Sequence, residues 1–315
     1  MLCALGLLGG AAWFARIRYL GPGPSTAIQA VVIPRGTPAQ VGEALSAAGV
    51  ISSVAEFRVA AVLTREAGPL HAGELMFPAQ ASLSDTLQVL RAGHTAQHRV
   101  TIPEGLTAAQ VALLLDRTAG LTGDPVVPPE GGILPETYDF DRGATRVSIA
   151  QRASSAMERA LTEAWEGREA DVSLNDPQQM LTLASIVERE TARPEERAHI
   201  AGVFLNRLRH RMRLQSDPTV IYAATGGIGV SNHPISHADL ELPNPYNTYT
   251  SPALPPGPIA GPGIASLRAV AHPLPTDDLY FVADGHGGHV FAATLEEHQR
   301  NVAAWRALGA KPTSR

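Results

Sequence analysis

Residues 184–222 read ASIVERETARPEERAHIAGVFLNRLRHRMRLQSDPTVIY, and the reading of this stretch decides both fold and site. It opens inside an apolar helical pattern. Pro194 interrupts that pattern, because proline lacks a backbone donor and clashes with the preceding turn. A second amphipathic pattern follows. The spacing therefore predicts helices over 177–191 and 195–211, then a loop, Leu214-Gln215-Ser216-Asp217-Pro218-Thr219. A helix turns about 200° in two residues, so Glu188 and Glu190 cannot face the same cleft. Glu190 shares a stripe with Leu183, Ile186 and Val187, whereas Glu188 stacks over Ala184 and Ser185. An ionised carboxylate on an apolar face is costly, so its pKa should rise, as a general acid at neutral pH requires. Two surface glutamates bridging Arg189 and Arg193 would fit the same spacing, and the residues alone leave both readings open.

Outward from this stretch, two segments echo each other. Val31-Val-Ile-Pro-Arg-Gly-Thr37 and Val100-Thr-Ile-Pro-Glu-Gly-Leu-Thr107 each read as a strand ending at Ile-Pro-x-Gly, then a helix capped by Thr. Gln40 and Gln110 stand at the capping-box spacing, and Pro38 takes the favoured first-turn place. Segment 28–98 thus reads as a small α+β module, with a further helix near 54–65, a strand near 73–77 and a helix from Ser82 to Arg91. Residues 120–145, rich in Gly and Pro, predict a long loop over the active site. A helix is expected at 147–165, irregular chain at 243–263, and a hairpin of 279–283 with 289–292 before a helix capped by Thr294.

The 315 residues suit two domains, and 44% hydrophobic content is ample for a core. A net charge of −5 argues against nucleic acid, which needs a concentrated basic face. The run Arg207, Arg209, His210, Arg211 and Arg213 reads as a solvated helix end. The single cysteine, Cys3, excludes an intrachain disulfide. Residues 1–15 carry no charge and are followed by Arg16 and Arg18, which predicts export or anchoring, although a full span needs about 20 apolar residues. Gly21-Pro-Gly-Pro-Ser25 reads as a linker. His286, His289 and His298 lack any metal-site pattern, with no HExxH and no Cys pair, so neither metal nor cofactor is expected.

Several motifs occur together: Ser185-Ile-Val-Glu-Arg-Glu-Thr191, Glu195-Glu-Arg197, Asn206-Arg207-Leu208, Leu214-Gln-Ser-Asp-Pro-Thr219, Tyr246-Asn-Thr-Tyr249, Leu254-Pro-Pro-Gly-Pro258 and Tyr280-Phe-Val-Ala-Asp-Gly285. In this order they resemble the MltG (YceG-like) endolytic murein transglycosylase family over roughly residues 30–305. The resemblance implies an α+β fold: a LysM-like peptidoglycan-binding module at 28–98, then a mixed, helix-rich catalytic domain with a short β-sheet at 99–308. It also implies an N-terminal single-pass anchor within 1–20, a linker at 21–27, and a catalytic domain in the periplasm at the bacterial inner membrane. Leu75 stands where relatives are expected to have Tyr. Glu130-Gly-Gly-Ile-Leu-Pro-Glu-Thr-Tyr138 lacks two expected aromatics but keeps Glu136 and Tyr138.

The resemblance places the catalytic acid, then base, at Glu190. The implied reaction cuts the MurNAc–GlcNAc β-1,4 bond of peptidoglycan glycan strands and leaves 1,6-anhydro-MurNAc ends, ending strand elongation in company with peptidoglycan synthases. Gln215, Ser216, Asp217 and Thr219 are read as sugar-binding and loop-shaping groups, and Tyr246, Asn247, Tyr249 and Glu136 as substrate-binding candidates. Glu188, Asn206 and Arg207 are supporting candidates. Two alternatives stand beside this reading: a non-catalytic peptidoglycan-binding scaffold, and a muramidase working with two carboxylates, Glu190 and Asp217. Asp217 before Pro218 also reads simply as a turn opener.

Overall fold

The structure is a computed structural model that describes residues 10, 13–93 and 96–309. Most of the predicted anchor, with Cys3, lies outside the described residues, and no described helix is long and apolar enough to cross a membrane. The chain forms two compact units, Met1–Arg99 with Asp139–Ala144, and Val100–Tyr138 with Thr145–Arg315. Among the described residues the fold is α+β, with helices and three small two-stranded sheets.

In the first unit, β1 (Gln29–Ile33) pairs antiparallel with β2 (Gly73–Phe77), with Val31 opposite Leu75. Helices α1 (Pro38–Ala47), α2 (Val54–Leu63) and α3 (Leu83–Ala92) complete it. Thr37 and Gln40 form the full capping box at the start of α1. The core gathers Ile33, Leu45, Phe57, Leu75, Phe77, Leu87 and Leu90. Leu75 is fully buried there, so this position packs the core and offers no ring face to a sugar.

The boundary between the units falls inside both β3 (Gln97–Thr101) and β4 (Thr137–Asp141), which pair with each other. The expected loop at 120–145 therefore contains a strand. Its alternation of exposed and buried residues, with Tyr138 and Phe140 inward, is the period-two signal that the surrounding Gly and Pro obscured. The second unit continues with α4 (Ala108–Arg117), α5 (Arg146–Glu166), α6 (Pro177–Glu190), α7 (Arg197–Arg209), α8 (Asp217–Ala224), α9 (His237–Glu241) and α10 (Ile264–Ala271). It closes with the hairpin β5 (Tyr280–Ala283) and β6 (His289–Ala292), then α11 (Leu295–Gly309).

Helix α6 is the central element of this unit. Asp176 caps it, its side chain accepting from Gln179 N, and Pro177 occupies the first turn. Met180, Leu183, Ile186 and Val187 are fully buried against α7 residues Ile200, Phe204 and Leu205 and α10 residues Leu267 and Val270. Each such side chain contributes roughly 1.5–3 kcal/mol. Their sum exceeds the cost of carrying a carboxyl into the interior at the end of the same helix.

Candidate active site

Glu190 is the last residue of α6, and the backbone leaves the helix extended at Thr191. Thr191 Oγ1 donates to Glu196 Oε2 at 3.0 Å and accepts from Arg193 N, which fixes the exit into the short 3-10 turn Pro194–Glu196. Glu196 also accepts from His289 N and its ring Nδ1, at 2.9 and 2.7 Å. Burial works to raise the Glu196 carboxyl, but the hydrogen bonds from His289 and Thr191 hold it below the usual range. His289 is thus tied into the chain next to α6.

Ser216 Oγ donates to Glu190 Oε2 at 2.7 Å. Burial pushes the Glu190 carboxyl from 4.5 to about 7; the Asp217 charge adds to this, while the Ser216 hydrogen bond and the His289 and Arg207 charges oppose it. Near neutral pH such a group exists in both forms, the condition for giving and then taking a proton.

The segment that presents Ser216 is held from several sides. Gln215 adopts φ 49°, a left-handed conformation uncommon outside glycine, and such strain persists only where the surroundings enforce it. Gln215 N donates to Thr248 O at 3.2 Å and Ser216 N to Thr248 Oγ1 at 3.0 Å. Thr219 Oγ1 donates to Ser216 O at 2.6 Å and lies 2.8 Å from Thr248 Oγ1. From α7, Arg207 donates to Leu214 O at 2.7 Å and to Leu279 O at 2.6 Å. Arg207 is buried, unlike its exposed neighbours Arg209, His210, Arg211 and Arg213, so the basic run is a solvated face with one member turned inward.

Asp217 begins α8, and Pro218 follows in its first turn, so Asp-Pro here starts a helix where a turn was expected. Tyr249 OH donates to Asp217 Oδ1 at 2.6 Å. Burial, with Asp217 and Glu190 nearby, raises the Tyr249 phenol, which keeps its proton at any working pH.

Other candidates fall elsewhere. Asn247 is fully buried; its Nδ2 donates to the carbonyls of Asp239, Leu240 and Leu242, and its Oδ1 accepts from Tyr249 N. Its amide is spent on loop geometry. Thr219 is equally buried, and its hydroxyl is bonded within the loop. Tyr246 is half-buried, its ring 4.9 Å from that of Tyr222 and packed on the core. Gln215 and Asp217 remain exposed. Glu136 is exposed and lines a concavity of about 590 Å³ with Tyr138, Arg152 and Arg159 that does not include Glu190. Asn206 donates to Thr276 O and Asp278 O, bracing α7.

Glu188 departs most from expectation. Its side chain is 5% exposed; Oε1 accepts from Arg197 at 3.0 Å, and Oε2 from Gly263 N and Ser266 Oγ at 2.9 and 2.8 Å. It is a clasp joining α6, α7 and α10, and both of its oxygens are in use. Neither glutamate bridges Arg189 or Arg193, which donate instead to backbone carbonyls of Gly105 and His286. Sequence reasoning passed over Glu130, whose oxygens accept from Ala108 N and Tyr222 OH and whose pKa burial raises. Its signal was weak, because an acidic residue in a Gly-Pro loop is ordinary.

The profile of the YceG-like family matches residues 31–304. The chain belongs to the YceG-like family. Similar curated YceG-like relatives are both named endolytic murein transglycosylase. The Bacillus subtilis protein is 40% identical over 175 residues, covering 55% of this chain and 47% of that protein. A Streptococcus pneumoniae protein is 30% identical over 321 residues, covering 87% of this chain and 57% of that protein. The chain therefore spans about half the length of the curated relatives it matches. A crystal structure of a YceG-like protein from Listeria monocytogenes aligns with TM-score 0.54 and 27% identity, over 88% of this chain and 99% of that one.

Proposed function

We propose that this chain is a peptidoglycan lytic transglycosylase with Glu190 as its acid and base. The observation that carries the reading is a carboxyl raised to about 7 by burial at the half-buried end of a core helix, hydrogen-bonded by Ser216. The name shared by the curated relatives supports the substrate class. In this reading protonated Glu190 donates to the glycosidic oxygen between MurNAc and GlcNAc, and the C1–O bond breaks. The resulting carboxylate takes the proton of the muramic C6 hydroxyl, whose oxygen closes on C1. The product is a 1,6-anhydro end, and Glu190 is protonated again. Because the substrate supplies its own nucleophile, one protein carboxyl suffices, and the intramolecular attack gains from proximity.

The wider reading rests on the motif resemblance. Cleavage is internal to the strand and ends its elongation beside the peptidoglycan synthases. The module at 28–98 is LysM-like and holds glycan, the domain at 99–308 cuts it, and the uncharged run at 1–15 tethers the chain at the membrane with its bulk in the periplasm. The test of the central step is Glu190→Gln on purified glycan strands. It should fold and lose cleavage by about 10²–10⁴-fold, while Glu188→Gln, corrected for folded protein, keeps most of it. A dead Glu188→Gln with an active Glu190→Gln would overturn the assignment.

A further inference from the structure

Protonating a glycosidic oxygen leaves positive charge on the sugar C1 and ring oxygen as the bond breaks. The Glu190 carboxylate left behind has its Oε2 engaged by Ser216 and must still take the C6 hydroxyl proton. A second carboxylate lies close enough for its charge to act on Glu190. Asp217 follows Ser216 directly, remains exposed at the start of α8, and has its carboxylate direction fixed by the 2.6 Å hydrogen bond from Tyr249 OH. Tyr249 is itself held, its backbone N donating to buried Asn247. Resting on the proposed reaction, we infer that Asp217 is a further catalytic residue, an anion that faces the developing sugar cation, and that Tyr249 is the positioning residue that aims it. Asp217 takes no proton and forms no bond to carbon; the C6 hydroxyl remains the nucleophile. Fixed charge aimed where charge develops acts in the transition state and not in substrate binding.

The charged and titratable groups around Glu190 separate this role from a structural one. They are Asp217 on α8, Arg207 on α7, His289 on β6 and the Tyr249 phenol, and of these the Asp217 charge is the one that raises the Glu190 carboxyl. Removing it should lower the pH at which activity falls on the alkaline side.

The experiment compares Asp217→Asn, Tyr249→Phe and the double variant on purified uncrosslinked glycan strands, with thermal melts to normalise for folding. Asp217→Asn should reduce kcat by about 10²-fold with KM changed less than about threefold, and its alkaline limb should move to lower pH. Tyr249→Phe should reduce kcat less, with the limb unmoved. The double variant should be no worse than Asp217→Asn alone, because Tyr249 acts through Asp217. A wild-type kcat or an unmoved limb in Asp217→Asn would overturn the catalytic role. Additive losses in the double variant would overturn the positioning role of Tyr249. Reducing ends from the wild-type enzyme would instead refute the proposed transglycosylase reaction, and the cation argument would still be judged by these three variants, since hydrolysis passes through the same charge.

Discussion

The Ser216 hydroxyl and the Glu190 carboxyl, 2.7 Å apart, join the end of one helix to the start of another. The donor favours the ionised carboxyl, while burial favours the protonated one, so the bond tempers the rise to about 7. In Ser216→Ala the Glu190 pKa should climb further, and the alkaline limb of kcat/KM should move up by about 0.5–1 pH unit. A pH–rate profile checks the direction; a downward move would mean that the hydroxyl accepts from a protonated carboxyl.

Stability carries the same signature. The folded pKa of Glu190 lies above its unfolded value of 4.5, so its contribution is full below about pH 4.5 and is lost as pH rises through about 7. The stability of wild type should therefore drop relative to Glu190→Gln between pH 5 and pH 8, on the order of 2–3 kcal/mol. Paired denaturant titrations at the two pH values measure it, and parallel curves for the two proteins would contradict the shift.

Much of this was legible in the sequence, and the misses have physical causes. Both Thr-x-x-Gln capping boxes, at Thr37 and Thr107, appear as read, because capping depends on residues three apart. The face of α6 was legible for the same reason: helical periodicity placed Glu190 and Glu188 on different sides. What lies beyond the helix was not. Glu188 was read as the more polar choice, yet it is deeply buried, because its partners Arg197, Gly263 and Ser266 come from segments whose approach no local pattern encodes. The loop sequence around Asn247 does not encode the carbonyls of Asp239, Leu240 and Leu242 that its amide gathers. The strand Thr137–Asp141 was hidden by its Gly-Pro surroundings.

Glu188→Gln should show the clasp as a stability effect. Arg197, 11% exposed, would keep only the longer contact to Glu104 at 3.4 Å, at a cost of about 1–3 kcal/mol. Cleavage per folded molecule should stay within a few-fold of wild type. An unchanged melting temperature would mean that the clasp contributes nothing.

Asn247→Ala should loosen the 239–250 loop by removing a donor from three carbonyls, two of which keep Leu242 N or Thr250 Oγ1, at roughly 1–3 kcal/mol, and kcat should fall with it because Tyr249 loses its backbone anchor. Hydrogen exchange across 239–250 reads the loosening directly. Protection equal to wild type in that loop would contradict the scaffold role.

The central claim is that the substrate's own C6 hydroxyl, and not water, attacks C1 after Glu190 gives up its proton. Mass analysis of the ends made by the wild-type protein from purified glycan strands tests it most directly. The account predicts 1,6-anhydro-muramic ends, lighter than hydrolytic ends by one water; reducing muramic ends would contradict it and make water the nucleophile.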